Sequence, residues 1–168
     1  MAYLGIDLGT TNSVATIYRD KDDSIEIVKI DGTDEVLPSV VNYPTLESEE
    51  VVVGSEAKLS SVIYPESTVI SIKRKIGTDN KIIINGEEKT PEQVSAEILK
   101  KLKKSAEEQS GETFDEVVIT HPAYFNDRQI FATKQAGILA GFKNVYLLSE
   151  PLAAAIEYGY KQGYAQTL

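Results

Sequence analysis

Asp7-Leu8-Gly9-Thr10-Thr11-Asn12 brings a carboxylate, a glycine, two hydroxyls and an amide together within one short stretch. In a turn, residues of these types can aim successive backbone N–H groups and side-chain donors at phosphate oxygens. Asp7 could hold a hydrated magnesium ion, which prefers oxygen ligands and keeps much of its water. The same residues also suit a plain polar turn, and spacing alone does not separate the two. The pattern GxxxxGK[ST] is absent, so this is not a Walker loop. Three further places carry reactive groups. Lys73-Arg74-Lys75 could send one or two cations into a cleft, or form a solvated face. Glu150 stands between a strand and Pro151, where a carboxylate can serve a sheet-edge site or balance a helix N-terminus. His121-Pro122 follows a strand and reads as a rigid turn, with the lone histidine more at home in structure than in catalysis.

The elements around these residues follow from periodicity. Tyr3–Leu8 and Ser13–Tyr18 predict two strands joined as a hairpin through Gly9-Thr10-Thr11-Asn12. Ile25–Ile30 alternates and predicts a third strand, ended by Asp31-Gly32. Residues ~36–111 then change character. Short β-branched runs are broken by Pro38, Pro44 and Gly54, and helical segments are expected near Ser55–Ile63 and Glu66–Lys75. Lys81–Asn85 is a strand running into an Asn85-Gly86 turn. Thr90-Pro91-Glu92-Gln93 carries a cap, a proline at the first helical position and a capping-box glutamine. The helix it opens has the stripe Val94, Ile98, Leu99 and Leu102, with Gly111 past its end. Glu116–Thr120 and Val145–Leu148 predict strands around a helix from Asp127 to Ala140, a parallel crossover. Pro151 is expected to open a last helix through Tyr158.

This order predicts an α/β fold: a ribonuclease-H-like lobe of the actin and hexokinase type, with a mixed sheet, built from residues 1–35 and 112–168. Residues 36–111 are expected to form an inserted α+β subdomain.

Composition narrows the chemistry. With no cysteine, disulfides, thiolate zinc sites and thiol catalysis are excluded, and one histidine excludes clusters of imidazoles. The 17 Lys and Arg against 26 Asp and Glu leave a net charge of −9, which argues against nucleic acid or anionic membrane as a partner. No apolar run approaches the roughly 18–20 residues of a membrane-spanning helix, and no basic leader precedes Tyr3, so a cytoplasmic location is expected.

Gly5–Ser13 resembles the first phosphate loop of the 70-kDa heat-shock chaperone family. Further stretches resemble that family in the same order: Leu37-Pro38-Ser39, Val53–Lys58, Ile72–Gly77, Ser95–Lys100, Pro122–Asp127, Ala132-Thr133-Lys134 and Glu150–Ala155. The resemblance implies ATP or ADP as ligand with Mg2+, and ATP hydrolysis by the complete domain. It implies that Gly9, Thr10, Thr11 and Asn12 cradle the phosphates and that Asp7 supports the metal through water. Lys73 would orient the attacking water, Glu150 would take part in hydrolysis near the metal, and Pro122 would act as an interdomain switch. Unfolded peptides, a J-domain co-chaperone and a nucleotide-exchange factor are the implied partners, with no nucleic acid and no membrane.

Ile130 stands where the family usually carries an arginine, and on a helix Arg128 would point roughly 200° away from it. Tyr146 occupies another commonly basic position, and Leu152 replaces a frequent threonine. The family's second phosphate loop is expected shortly after Leu168, so the chain reads as the first lobe of a longer nucleotide-binding domain and is expected to be inactive alone. Other readings are an actin-like ATPase or small-molecule kinase lobe, a metal-dependent nuclease on the same fold, and a catalytically silent homologue.

Overall fold

The structure, a computed structural model, describes residues 1–45 and 50–150. Along the chain run β1 (Ala2–Asp7), β2 (Asn12–Arg19), β3 (Ser24–Ile27), β4 (Leu37–Pro38), β5 (Val40–Asn42) and β6 (Val52–Val53). Then come α1 (Ser55–Ile63), β7 (Thr68–Ile70), β8 (Ile82–Ile84), β9 (Glu87–Lys89), α2 (Pro91–Ser110), β10 (Glu116–His121), α3 (Asp127–Leu139) and β11 (Asn144–Ser149).

The main sheet has the order β11-β10-β1-β2-β3, with β4 also paired to β2. Strands β1, β2 and β3 are antiparallel neighbours, whereas β1, β10 and β11 run parallel, so the sheet is mixed. Period-two alternation sends Leu4, Ile6, Ala15, Ile17, Val117, Ile119 and Val145 into the core. There they join Val94, Ile98, Leu99, Leu102 and Ala106 of α2 and Ala136 and Ala140 of α3 in one apolar cluster. On the other face Tyr3, Tyr18 and Ile25 lie in one cross-strand row, with the two tyrosine rings stacked at 6.2 Å. Tyr3, Ile25, Ile27 and Tyr146 remain exposed there.

Helix α2 starts where its capping residues say it should. The Thr90 hydroxyl accepts from the Gln93 N–H at 3.1 Å, and the Gln93 side chain accepts from the Thr90 N–H at 2.8 Å. Gly111 ends the helix in the left-handed conformation, its N–H donating to the Glu107 carbonyl at 2.9 Å. Two lysines of α2 are engaged in ion pairs: Lys101 meets Asp31 at 2.9 Å, and Lys103, largely buried over the Phe142 ring, meets Glu107 at 2.7 Å. Helix α3 repeats the reciprocal cap, with Asn126 and Gln129 exchanging bonds of 2.9 Å.

Between β4 and α2 lies a small antiparallel sheet, β6-β5-β7, and the separate hairpin β8-β9. Asn85 and Gly86, with φ of 51° and 81°, make the mirror-image turn that an Asn-Gly pair favours. Two expectations are corrected here. The helix expected at Glu66–Lys75 is instead a single 3₁₀ turn (Pro65–Ser67), strand β7 and a second 3₁₀ turn (Ile72–Lys75). The β-branched run Thr68-Val69-Ile70 pairs with β5, and Ser71, at φ 54°, breaks any continuation into a helix. The third strand stops at Ile27, short of Ile30, which forms a lone bridge to Asp34 around the Asp31-Gly32 turn. The helix expected from Pro151, and with it Leu152, lies outside the described residues.

Candidate functional site

Parallel strands present their C-terminal ends together, and ligands of open α/β sheets bind outside those ends. Here β1 ends at Asp7, β10 at His121 and β11 at Ser149. Asp7 is in register with Thr120, and Thr120 with Leu148. The Thr120 hydroxyl donates to the Asp7 carboxylate at 3.3 Å. Asp7 itself is exposed, free to turn an oxygen outward. Glu150 follows β11 directly, so both carboxylates issue from one edge.

Residues Leu8–Thr11 connect β1 to β2. Gly9 is required there by space: a Cβ on it would sit 2.0 Å from the Asn12 carbonyl oxygen. The loop is braced from below by β4 and the residue after it. The Ser39 N–H donates to the Thr11 carbonyl at 2.8 Å, and the Ser39 hydroxyl donates to the Gly9 carbonyl at 2.9 Å. The Ser13 and Ser39 hydroxyls are 2.9 Å apart, both buried.

Lys73 arrives from the 3₁₀ turn Ile72–Lys75. Of the three consecutive basic residues it alone turns inward, its side chain only 10% exposed. Its ammonium lies 3.5 Å from Glu150 Oε1 and 5.7 Å from the centre of the Phe125 ring. Arg74 and Lys75 are exposed. The turn is held by Gly77, at φ 77°, where a Cβ would meet the Gln129 backbone at 2.8–2.9 Å. The Lys73 turn therefore rests directly on the first turn of α3.

Pro122 is buried just past β10 and opens a turn in which the Phe125 N–H donates to the Pro122 carbonyl at 3.1 Å. That turn carries Phe125 back over His121, with ring centres 6.0 Å apart and planes at 7°. His121 Nδ1 lies 2.9 Å from the Pro122 carbonyl, so the histidine is engaged in the turn. Ile130 packs with Ile76, Phe125 and Ala132, while Arg128 points away and pairs with Asp79. Tyr146 lies on the exposed sheet face, away from this turn.

The structure thus gathers Asp7, the Gly9–Asn12 loop, Pro122 and Glu150 at the ends of β1, β10 and β11, with Lys73 paired to Glu150. Sequence reasoning gave no role to Ser13, Ser39 or Phe125. Ser39 and Phe125 lie in stretches that carry the family resemblance, yet only tertiary contact reveals what they touch. No group of three or more acidic or imidazole side chains fit to hold a metal occurs among the described residues. Asp7 is flanked in register by Thr120 rather than an acid, so the clustered carboxylates that a two-metal nuclease needs are not assembled there.

A mixed sheet with a strand–loop–strand turn and carboxylates at its C-terminal edge is the framework of a nucleotide-binding α/β lobe. The chain belongs to the Hsp70 family: the "Hsp70 protein" family description matches residues 3–83 and 79–167. It is 48% identical, over 93% of its length, to the chaperone protein DnaK of Thermotoga neapolitana and to that of Thermotoga maritima. Identity to DnaK of Thermosipho melanesiensis is 47% over the same share. In each case the matched region is 26% of the relative, so the chain spans about a quarter of those proteins. It corresponds to the N-terminal part of an Hsp70-type, DnaK-like nucleotide-binding domain. This match sets aside the small-molecule kinase and nuclease readings. Among the described residues no helix is long and apolar enough to cross a membrane.

Proposed function

We propose that this chain is the first lobe of an Hsp70-type ATPase that, with the region expected after Leu168, hydrolyses ATP to drive binding and release of unfolded polypeptides. The observation that carries this reading is the Lys73–Glu150 pair, 3.5 Å apart, at the same sheet edge as Asp7. In this reading residues 1–35 and 112–168 form the ribonuclease-H-like lobe and 36–111 the inserted subdomain. The protein works in the cytoplasm with a J-domain co-chaperone and a nucleotide-exchange factor.

The N–H groups and hydroxyls of Gly9, Thr10, Thr11 and Asn12 hold the phosphates. In phosphoryl transfer most of the catalysis is positioning and charge stabilisation, which suits a site with so few reactive groups. Lys73 holds the attacking water in line, and Glu150, fixed by Lys73, accepts a hydrogen bond from it. The water oxygen bonds to the γ-phosphorus as the bond to the bridging oxygen breaks; that bond's electron pair leaves on ADP, and the water protons stay with the inorganic phosphate released. Magnesium, when bound with the nucleotide, neutralises charge on the phosphate oxygens. Asp7, exposed at the end of β1, is the residue that would support such an ion, through water. Pro122 is the switch that passes the nucleotide state onward, through the turn that carries Phe125 beneath Lys73.

The test is steady-state ATP hydrolysis by the full-length protein and its Lys73→Ala variant. The expected result is Mg-dependent turnover that the substitution lowers by about 10²- to 10³-fold. Turnover unaffected by Lys73→Ala would overturn the site assignment.

A further inference from the structure

We infer that Ser39, braced by Ser13, is a positioning residue that sets the direction of the N–H groups in the phosphate loop; this rests on the nucleotide-binding reading above. The Ser39 residue holds two loop carbonyls at once, Gly9 through its hydroxyl and Thr11 through its N–H. Peptide groups are planar, and all those described here are trans, so C=O and N–H of one peptide point in opposite directions. Drawing the Gly9 carbonyl toward Ser39 turns the Thr10 N–H to the opposite side of the loop. Holding the Thr11 carbonyl turns the Asn12 N–H the same way. Two donors are thereby aimed away from the brace, as an anion cradle requires.

The brace is rigid for identifiable reasons. Ser13 and Ser39 are fully buried, at 0% and 2% exposure, so water does not compete for either hydroxyl. Ser13 lies on β2 and its hydroxyl meets that of Ser39 at 2.9 Å, fixing the rotor that serves Gly9. Pairing of Asn12 with Pro38 and of Ser13 with Leu37 places Ser39 beneath the loop. Gly9 lacks the Cβ that would collide with the Asn12 carbonyl, which lets the loop take this course over Ser39.

The experiment uses the full-length protein and measures binding of ADP, ATP and adenosine by titration calorimetry to the wild type, Ser39→Ala, Ser39→Thr and Ser13→Ala. Loss of one buried hydrogen bond with its acceptor stranded should weaken ADP and ATP binding to Ser39→Ala by roughly tenfold. Adenosine, which has no phosphate to meet the loop, should bind as before. Ser39→Thr keeps the hydroxyl and should restore nucleotide affinity, and Ser13→Ala should fall between. Equal loss of adenosine and ADP affinity would mean a merely structural role and overturn the proposal, as would ADP affinity within twofold of wild type. Wild type that binds neither nucleotide would overturn the nucleotide-binding reading itself, and with it this one.

Discussion

The Lys73 ammonium stands 3.5 Å from Glu150 Oε1 and 5.7 Å from the centre of the Phe125 ring, held between a carboxylate and an aromatic face. Little of the side chain reaches solvent, so its position is set by these two partners and by the 3₁₀ turn beneath it.

Removing the cation should therefore affect turnover more than binding. In the full-length protein, Lys73→Ala is expected to lower kcat by about 10²- to 10³-fold with little change in KM, the mark of an interaction made in the transition state. Glu150→Gln should act in the same direction. Steady-state kinetics at saturating and limiting ATP would check both.

Phe125→Leu keeps the turn apolar but removes the ring face. A cation–π contact of this kind contributes about 0.5–2 kcal/mol, so kcat should fall roughly two- to thirtyfold, less than for loss of Lys73 itself. A kcat equal to wild type would show that Glu150 alone positions the ammonium.

Gly77→Ala should be costly twice over. It forces an alanine to φ 77°, and it drives a Cβ to 2.8–2.9 Å from Gln129 backbone atoms. The backbone term alone is roughly 1–2 kcal/mol, and the clash adds to it. Urea denaturation should show the loss in stability, and ATP turnover should fall with it because the Lys73 turn must shift.

In the core, Leu99→Ala leaves a cavity where a fully buried side chain joins α2 to the sheet. A loss of about 2–5 kcal/mol is expected in equilibrium unfolding.

Glu26 gives a pH prediction. Hydrogen bonds from Gln109, and then from Arg19, hold its carboxyl below the usual carboxylate range. A lowered folded-state value means stabilisation that is present above the ordinary glutamate pKa of about 4.3 and lost as pH falls through the folded value. Glu26→Gln should thus be less stable than wild type at neutral pH, with the gap closing in acid. Urea midpoints across that range would check it.

What was legible in the sequence was mostly local. The Thr90–Gln93 capping box, the Asn85-Gly86 turn and the β1–β2 hairpin each depend on a handful of adjacent residues, and each stands as expected. The error at Glu66–Lys75 has a non-local cause: Thr68-Val69-Ile70 is a strand because Val40–Asn42 is there to pair with it. The site divides in the same way. Gly9–Asn12 could be picked out by residue type, whereas Ser39 is a positioning candidate only because β4 returns to β2. Phe125 likewise gains its meaning from Lys73, which a separate segment delivers. Glu150 and Lys73 each stand out by residue type, but nothing in their spacing pairs them.

The parallel pairing of β1 with β10 also dictates an order of events during synthesis. Strand β1 leaves the ribosome early and can close with β2 at once, yet its other edge has no partner until Glu116–His121 is made. At ordinary translation speeds that wait lasts roughly 5 to 20 seconds, during which the edge strand is open to mispairing. The synthesis of this lobe thus begins with an unshielded edge.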